Sequence, residues 1–228
     1  MSSVISSPEK FAVDSQALLK KADTYFYLGC AITGTWVLGP IGAAIVAYAM
    51  YLMRQVEQTG VAIRPWTVTV IGGLILVDAS VNCLAWGLDL LPSHGSLIGR
   101  SLWINYGLIA DGGYALNYNT SGAGGTPVPG EKAMQLALVV MVMPMKMAAA
   151  VGFLKMKRWG LQWAIVTNWM YLSFWVAYAA NMSLQFDIRF GTSEWGVLGF
   201  WLVGGIPFLG PLVLLPFLHT VNRELWSE

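Results

Sequence analysis

Charge is scarce in this chain of 228 residues: Asp, Glu, Lys and Arg make up 11% of it and leave a net charge of +1. Against that stand 56% hydrophobic residues and a mean hydropathy of +0.59, too little polar surface to clothe a soluble domain of this size. A bilayer is the better solvent. The only basic cluster is Lys155, Lys157 and Arg158, which gives no footprint for nucleic acid. Cysteine is scarcer still, at two residues. Cys30 and Cys83 both fall in apolar stretches, where packed thiols are expected, and no metal-ligand spacing occurs. The first 24 residues carry Asp14, Asp23, Lys10, Lys20 and Lys21, so they lack the apolar core of a cleavable signal peptide.

What is present reads as an all-α, polytopic transmembrane helix bundle of about six spans with a short interfacial helix at its N-terminus. The division expected is residues 1–24 as a cytoplasmic or interfacial segment, 25–219 as one transmembrane domain, and 220–228 as a cytoplasmic tail. Ser7 and Pro8 open the interfacial helix, and Phe11, Leu18 and Ala22 share one of its sides. The first span is expected from Tyr25 to Met53 as a kinked or tilted helix bent at Gly39-Pro40, with a re-entrant hairpin as the alternative. Thr67 to Leu91 gives the second.

Leu97 to Tyr118 has the apolar content of a helix but also Arg100, Asn105 and Asp111. Counting it as a span makes six; leaving it out makes five. With six, Lys10, Lys20, Lys21, Arg100, Lys155, Lys157, Arg158 and Arg223 fall on one side, against Arg54, Arg64, Lys132 and Arg189. The positive-inside rule then puts both termini in the cytoplasm. Asn119 to Lys132 is a Gly/Thr/Pro-rich connector. Further spans are expected at Ala133–Leu154, Trp163–Gln185 and Gly196–His219, the last with too many prolines and glycines for an ideal helix.

Ionisable groups inside apolar spans are expensive and for that reason informative. Asp78, Asp111 and Lys146 each sit near the middle of such a stretch and are the candidate catalytic residues. An unpaired charge at that depth costs about 2.5–3.5 kcal/mol, so pairing is expected. On the second span Asp78, Asn82, Trp86 and Asp89 recur at four, four and three, which puts them on one helical face. Gln135 and Lys146 share another face, and Pro144 frees a carbonyl that the ammonium could use. Asn168, Tyr171, Trp175, Tyr178 and Asn181 form a polar and aromatic seam on the fifth span. With Asn82, Trp86, Asp89 and Gln135, these are the candidate binding residues. The plainer reading of Asp78 with Lys146 is a salt bridge that fixes helix register, and of the aromatic seam, packing.

Trp66, Trp159, Trp163, Trp195 and Trp226 lie near span ends, as belt anchors do. His94 and His219 lack the supporting pattern of a metal or haem site, and nothing else calls for a cofactor. The functional expectation is an intramembrane cavity for a lipophilic small molecule. It could house an enzyme acting on an isoprenoid or other lipid, with Asp78 or Asp111 as general acid and the other carboxylate paired to Lys146. Two alternatives stand beside it: a proton-coupled or small-solute transporter or channel, and a non-catalytic subunit of a membrane complex. For the last, the small-residue runs Gly39–Ala44 and Ala148–Gly152 offer packing surfaces.

Overall fold

The computed structural model describes residues 8–35, 38–90, 136–184 and 209–227. They are helical throughout, with six α-helices and no β-strand beyond one isolated bridge. The helices are α1 (Pro8–Thr33), α2 (Gly39–Gln58), α3 (Trp66–Leu90), α4 (Met143–Leu154), α5 (Arg158–Leu184) and α6 (Leu209–Thr220). A π-helical turn, Leu138–Val142, leads into α4. Within the described residues one stretch, Trp66–Leu84, is long and apolar enough to cross a membrane by length and composition.

The first two helices correct the sequence reading. There is no separate interfacial helix followed by one kinked span: α1 continues unbroken past Lys20, Lys21 and Asp23 to Thr33, and a second helix starts at Gly39. Gly39-Pro40 does not bend a helix; it opens one. Pro40 occupies the first turn of α2, where a missing N–H leaves nothing unsatisfied. The hairpin, the alternative in the sequence reading, has arms longer than their apolar stretches. At 26 and 20 residues, the arms extend roughly 39 Å and 30 Å. Glycines set their spacing. A Cβ on Gly42 would stand 2.3 Å from the Thr33 amide nitrogen, and one on Gly29 would stand 2.8 Å from Val46. The run Gly39–Ala44 therefore spends Gly42 on packing within the chain.

The same holds at the α4–α5 crossing. A Cβ on Gly160 would come within 2.1 Å of the Gly152 carbonyl carbon, so the two backbones touch there. Ala149, Ala150 and Gly152 are buried in the chain's own core, leaving that run little to offer a partner. The core gathers Phe26 and Cys30 of α1, Met53 of α2, Ile75 and Leu76 of α3, Phe153 and Leu154 of α4 and Leu218 of α6. Trp226 joins it, 5% exposed, with its ring 4.6 Å from that of Phe153. It is therefore no belt anchor. The tail holds it there by crossing the α4–α5 turn, where the Arg158 amide donates to Ser227 O at 2.7 Å and the Ser227 amide to Met156 O at 3.0 Å.

Helices α3 and α4 run antiparallel. Gly72 packs on Leu154 near one end and Gly87 on Val139 near the other. Residues 90 and 136 therefore stand at the same end of the bundle. The expected span Leu97–Tyr118 lies outside the described residues, between those two flanks. The charge assignment also changes. Ser15 meets Thr59 at 3.2 Å, Asp23 pairs with Arg64, and one recess joins Leu19, Arg64 and Lys155. Arg54 and Arg64 thus share an end with Lys20, Lys21, Lys155, Lys157, Arg158 and Arg223, because the hairpin returns the chain there. Arg100, Lys132 and Arg189 lie outside the described residues. In α6 the helix persists through Pro216, so 209–220 holds no break; residues 196–208 are not described.

Candidate functional site

Asp78 and Asn82 lie one turn apart on α3, and that spacing lets the Asn82 amide reach back. Its Nδ2 donates to Asp78 Oδ1 at 3.0 Å and to the Asp78 carbonyl at 2.8 Å. Lys146, on α4, ion-pairs with the other carboxylate oxygen, Oδ2. Its ammonium also stands over the Tyr171 ring of α5, 4.9 Å from the centroid. The Tyr171 hydroxyl donates to Asn82 Oδ1, which returns the network to α3. Four side chains from three helices thus form a closed loop, each polar tip answered by another.

Burial ranks them. Lys146 and Tyr171 are 0% exposed and Asn82 is 2%, whereas the Asp78 side chain keeps 18% of its surface. Asp78 is the least enclosed of the four. Its other flank is closed by Gly210, near the start of the described part of α6, where a Cβ would lie 2.8 Å from Asp78 Oδ1. In the sequence that glycine reads only as a helix breaker, so its role was missed. Pro144 acts differently from expectation. Its ring would clash with the carbonyl four residues back in a regular helix, and the wider π turn immediately before it makes room. The acceptor found for the Lys146 ammonium is the Asp78 carboxylate rather than a freed carbonyl.

Asn168, one turn before Tyr171, is fully buried. Its Nδ2 donates to the Ala164 carbonyl at 2.7 Å, while its Oδ1 has no partner among the described residues. A buried amide oxygen left so is uncommon and marks a place where a donor would be welcome.

The structure therefore brings together Asp78, Asn82, Lys146 and Tyr171, with Asn168 adjacent on α5. Asp111 and Gln135 lie outside the described residues. Trp86 and Asp89 continue along α3, and Trp175, Tyr178 and Asn181 along α5, but their side chains are not among those described. No group of three His, Cys, Asp or Glu that could hold a metal occurs among the described residues. His219 accepts a hydrogen bond from Trp169 Nε1 at 3.0 Å. His94 is not described.

A second ionic site was not anticipated. Arg64 pairs with Asp23 at 2.6 Å, donates through Nε to Thr69 Oγ1 at 3.0 Å, and lies over the Phe26 ring. The sequence separates Arg64 from Asp23 by a whole hairpin, so only the fold reveals the pair. Compared with known families, curated proteins and solved structures, the chain matches no family model, no curated protein and no solved structure, and its chemistry is read from its own residues.

Proposed function

We propose that this is a multi-pass membrane protein whose interior ion pair forms the polar floor of a pocket for a lipophilic small molecule, such as an isoprenoid or other lipid. The observation that carries this reading is an inverted distribution of polarity. The ammonium of Lys146 is fully enclosed, while large apolar side chains point outward: Val213 is 68% exposed, Val140 61% and Ile41 56%. Water penalises that arrangement and hydrocarbon favours it.

In this reading Asp78, with Lys146 on one oxygen and Asn82 on the other, is held as a fixed anion with a partly open edge. Such a group orients a ligand's polar head or balances positive charge that develops on it. Both its oxygens already accept hydrogen bonds. Tyr171 supports the ammonium through its π-face and keeps Asn82 oriented.

A second reading has its own support. The closed loop leaves no described tip of these four residues unanswered, which is what a pair serving only to fix helix register requires. The two separate in one experiment. The full chain in nanodiscs is titrated with farnesol and with oleic acid while its unfolding temperature is followed, for the native chain and for a Asp78→Leu/Lys146→Met double variant. A ligand that binds only the folded state at a hundred times its Kd stabilises by about 2.7 kcal/mol. Stabilisation of the native chain, lost in a folded double variant, supports the pocket. A shift that is the same in both, or no shift with either probe, would sink it.

A further inference from the structure

We infer that the recess between α1, the α2–α3 connection and the α4–α5 turn binds the phosphate of an anionic phospholipid. This rests on the membrane reading above but concerns a different site, far from the Asp78 cluster. The recess holds about 320 Å³ and is lined by Asp23, Met53, Arg64, Leu154, Lys155 and Met156, among others.

Its charge does not cancel. A guanidinium and an ammonium face a single carboxylate, which leaves one positive charge, the complement of a phosphodiester. Arg64 is nearly buried, with 9% of its side chain exposed, and is fixed on Asp23 and Thr69. The Tyr27 hydroxyl also hydrogen-bonds the guanidinium, and Nη2 reaches the Met53 thioether at 3.7 Å. Sulfur is a weak acceptor, and an anionic oxygen would be a better one. Lys155, exposed at the rim, makes no ion pair among the described residues. The remaining wall, Met53, Leu154 and Met156, is apolar and suits the first carbons of an acyl chain.

Depth argues the same way. On α5, at the same end, Trp163 and Trp159, the latter with its ring also against Gly152, are 44% and 45% exposed, as tryptophans are at headgroup level. The recess would thus open where lipid phosphates lie. The turn bearing Lys155 is held in shape by Met156, whose φ of 53° is a left-handed conformation, and by the tail strapped across it. Lys155 is therefore presented at a set place rather than on a loose loop.

The test uses the full chain released from detergent after mixing with equal amounts of phosphatidylglycerol and phosphatidylcholine, with bound lipid counted by native mass spectrometry. Selective retention of phosphatidylglycerol is expected. Lys155→Glu should weaken it about tenfold or more, equivalent to about 1.4 kcal/mol. Arg223→Glu, an exposed charge reversal at the same end but outside the recess, should leave retention unchanged, and circular dichroism confirms that both variants fold. Equal retention of the two lipids, or equal losses in both variants, would overturn the site. Inorganic phosphate is the second arm. Phosphate that merely competes with the lipid supports the recognition described, whereas phosphate that binds in a Lys155-dependent way while phosphatidylglycerol does not would overturn the lipid as its source. Carbonate extraction of membranes tests the underlying reading separately: a chain that resists extraction but shows no lipid preference loses only this proposal.

Discussion

Removing the ammonium of Lys146 tests the interior network most directly. In Lys146→Met the stem of similar length still fills the space, but the Asp78 carboxylate keeps only its hydrogen bond from Asn82. Breaking a buried pair from one side costs about 3–5 kcal/mol. Asp78 retains 18% of its side-chain exposure, so this variant belongs near the lower figure. Asp78→Asn leaves the opposite problem. An ammonium with no exposure at all faces a neutral amide and the Tyr171 ring, and its loss belongs nearer the upper figure. The double variant Asp78→Asn/Lys146→Met has no charge to strand and forfeits hydrogen bonding and packing worth about 1–2 kcal/mol. Its destabilisation should therefore fall well below the sum of the two singles, with a coupling of at least about 2 kcal/mol. The measurement is reversible unfolding of the full chain in mixed micelles, followed by far-ultraviolet circular dichroism at two salt concentrations. Salt should matter little, because the pair is shielded from solvent. Two singles that add to the double within about 0.5 kcal/mol would refute the reasoning, since uncoupled residues do not share a pair.

Two further perturbations address the framework around that network. Gly160→Ala should fail to accumulate as folded protein, because its methyl would meet the Gly152 backbone, which cannot move aside. Gly210→Ala should fold but lose about 1–3 kcal/mol in the same unfolding assay by pushing against the Asp78 carboxylate. Trp226→Ala should lose about 3–5 kcal/mol, as for a core aromatic, and raise the protease sensitivity of the tail; a loss under about 1 kcal/mol would restore the belt-anchor reading.

The parts of the site that could be read from sequence are those governed by local spacing or by the penalty on buried charge. Asp78 and Asn82 share a face because four residues make about one turn. Asp78 had to find a cation, and the described part of the chain offers Lys146 at matching depth. Asn168 and Tyr171 followed from the same periodicity on α5. What escaped depends on contacts between residues distant in the chain. Nothing local to Gly210 shows that it abuts Asp78, and Trp226 near the C-terminus looks like any interfacial tryptophan until the tail is seen crossing the turn. The hairpin stood only as the alternative, for a different reason. Gly39-Pro40 fits a kink and a helix start equally well, and the polar residues of α1 mask the helix from any measure based on apolar length. Lys20, Lys21 and Asp23 ended the expected span early, though they lie along a continuous helix whose Asp23 is neutralised by Arg64.

That hairpin alters more than its own residues. A chain running up α1, down α2 and up α3 leaves α3 at the end opposite to the basic residues, and α4 begins there too. Moving Arg54 and Arg64 beside Lys20, Lys21 and Lys155 also strengthens the charge asymmetry that orients such proteins: among the described residues every lysine and arginine except Lys146 now lies at one end. Lys146 is the exception that needs a reason, and the Asp78 carboxylate supplies it.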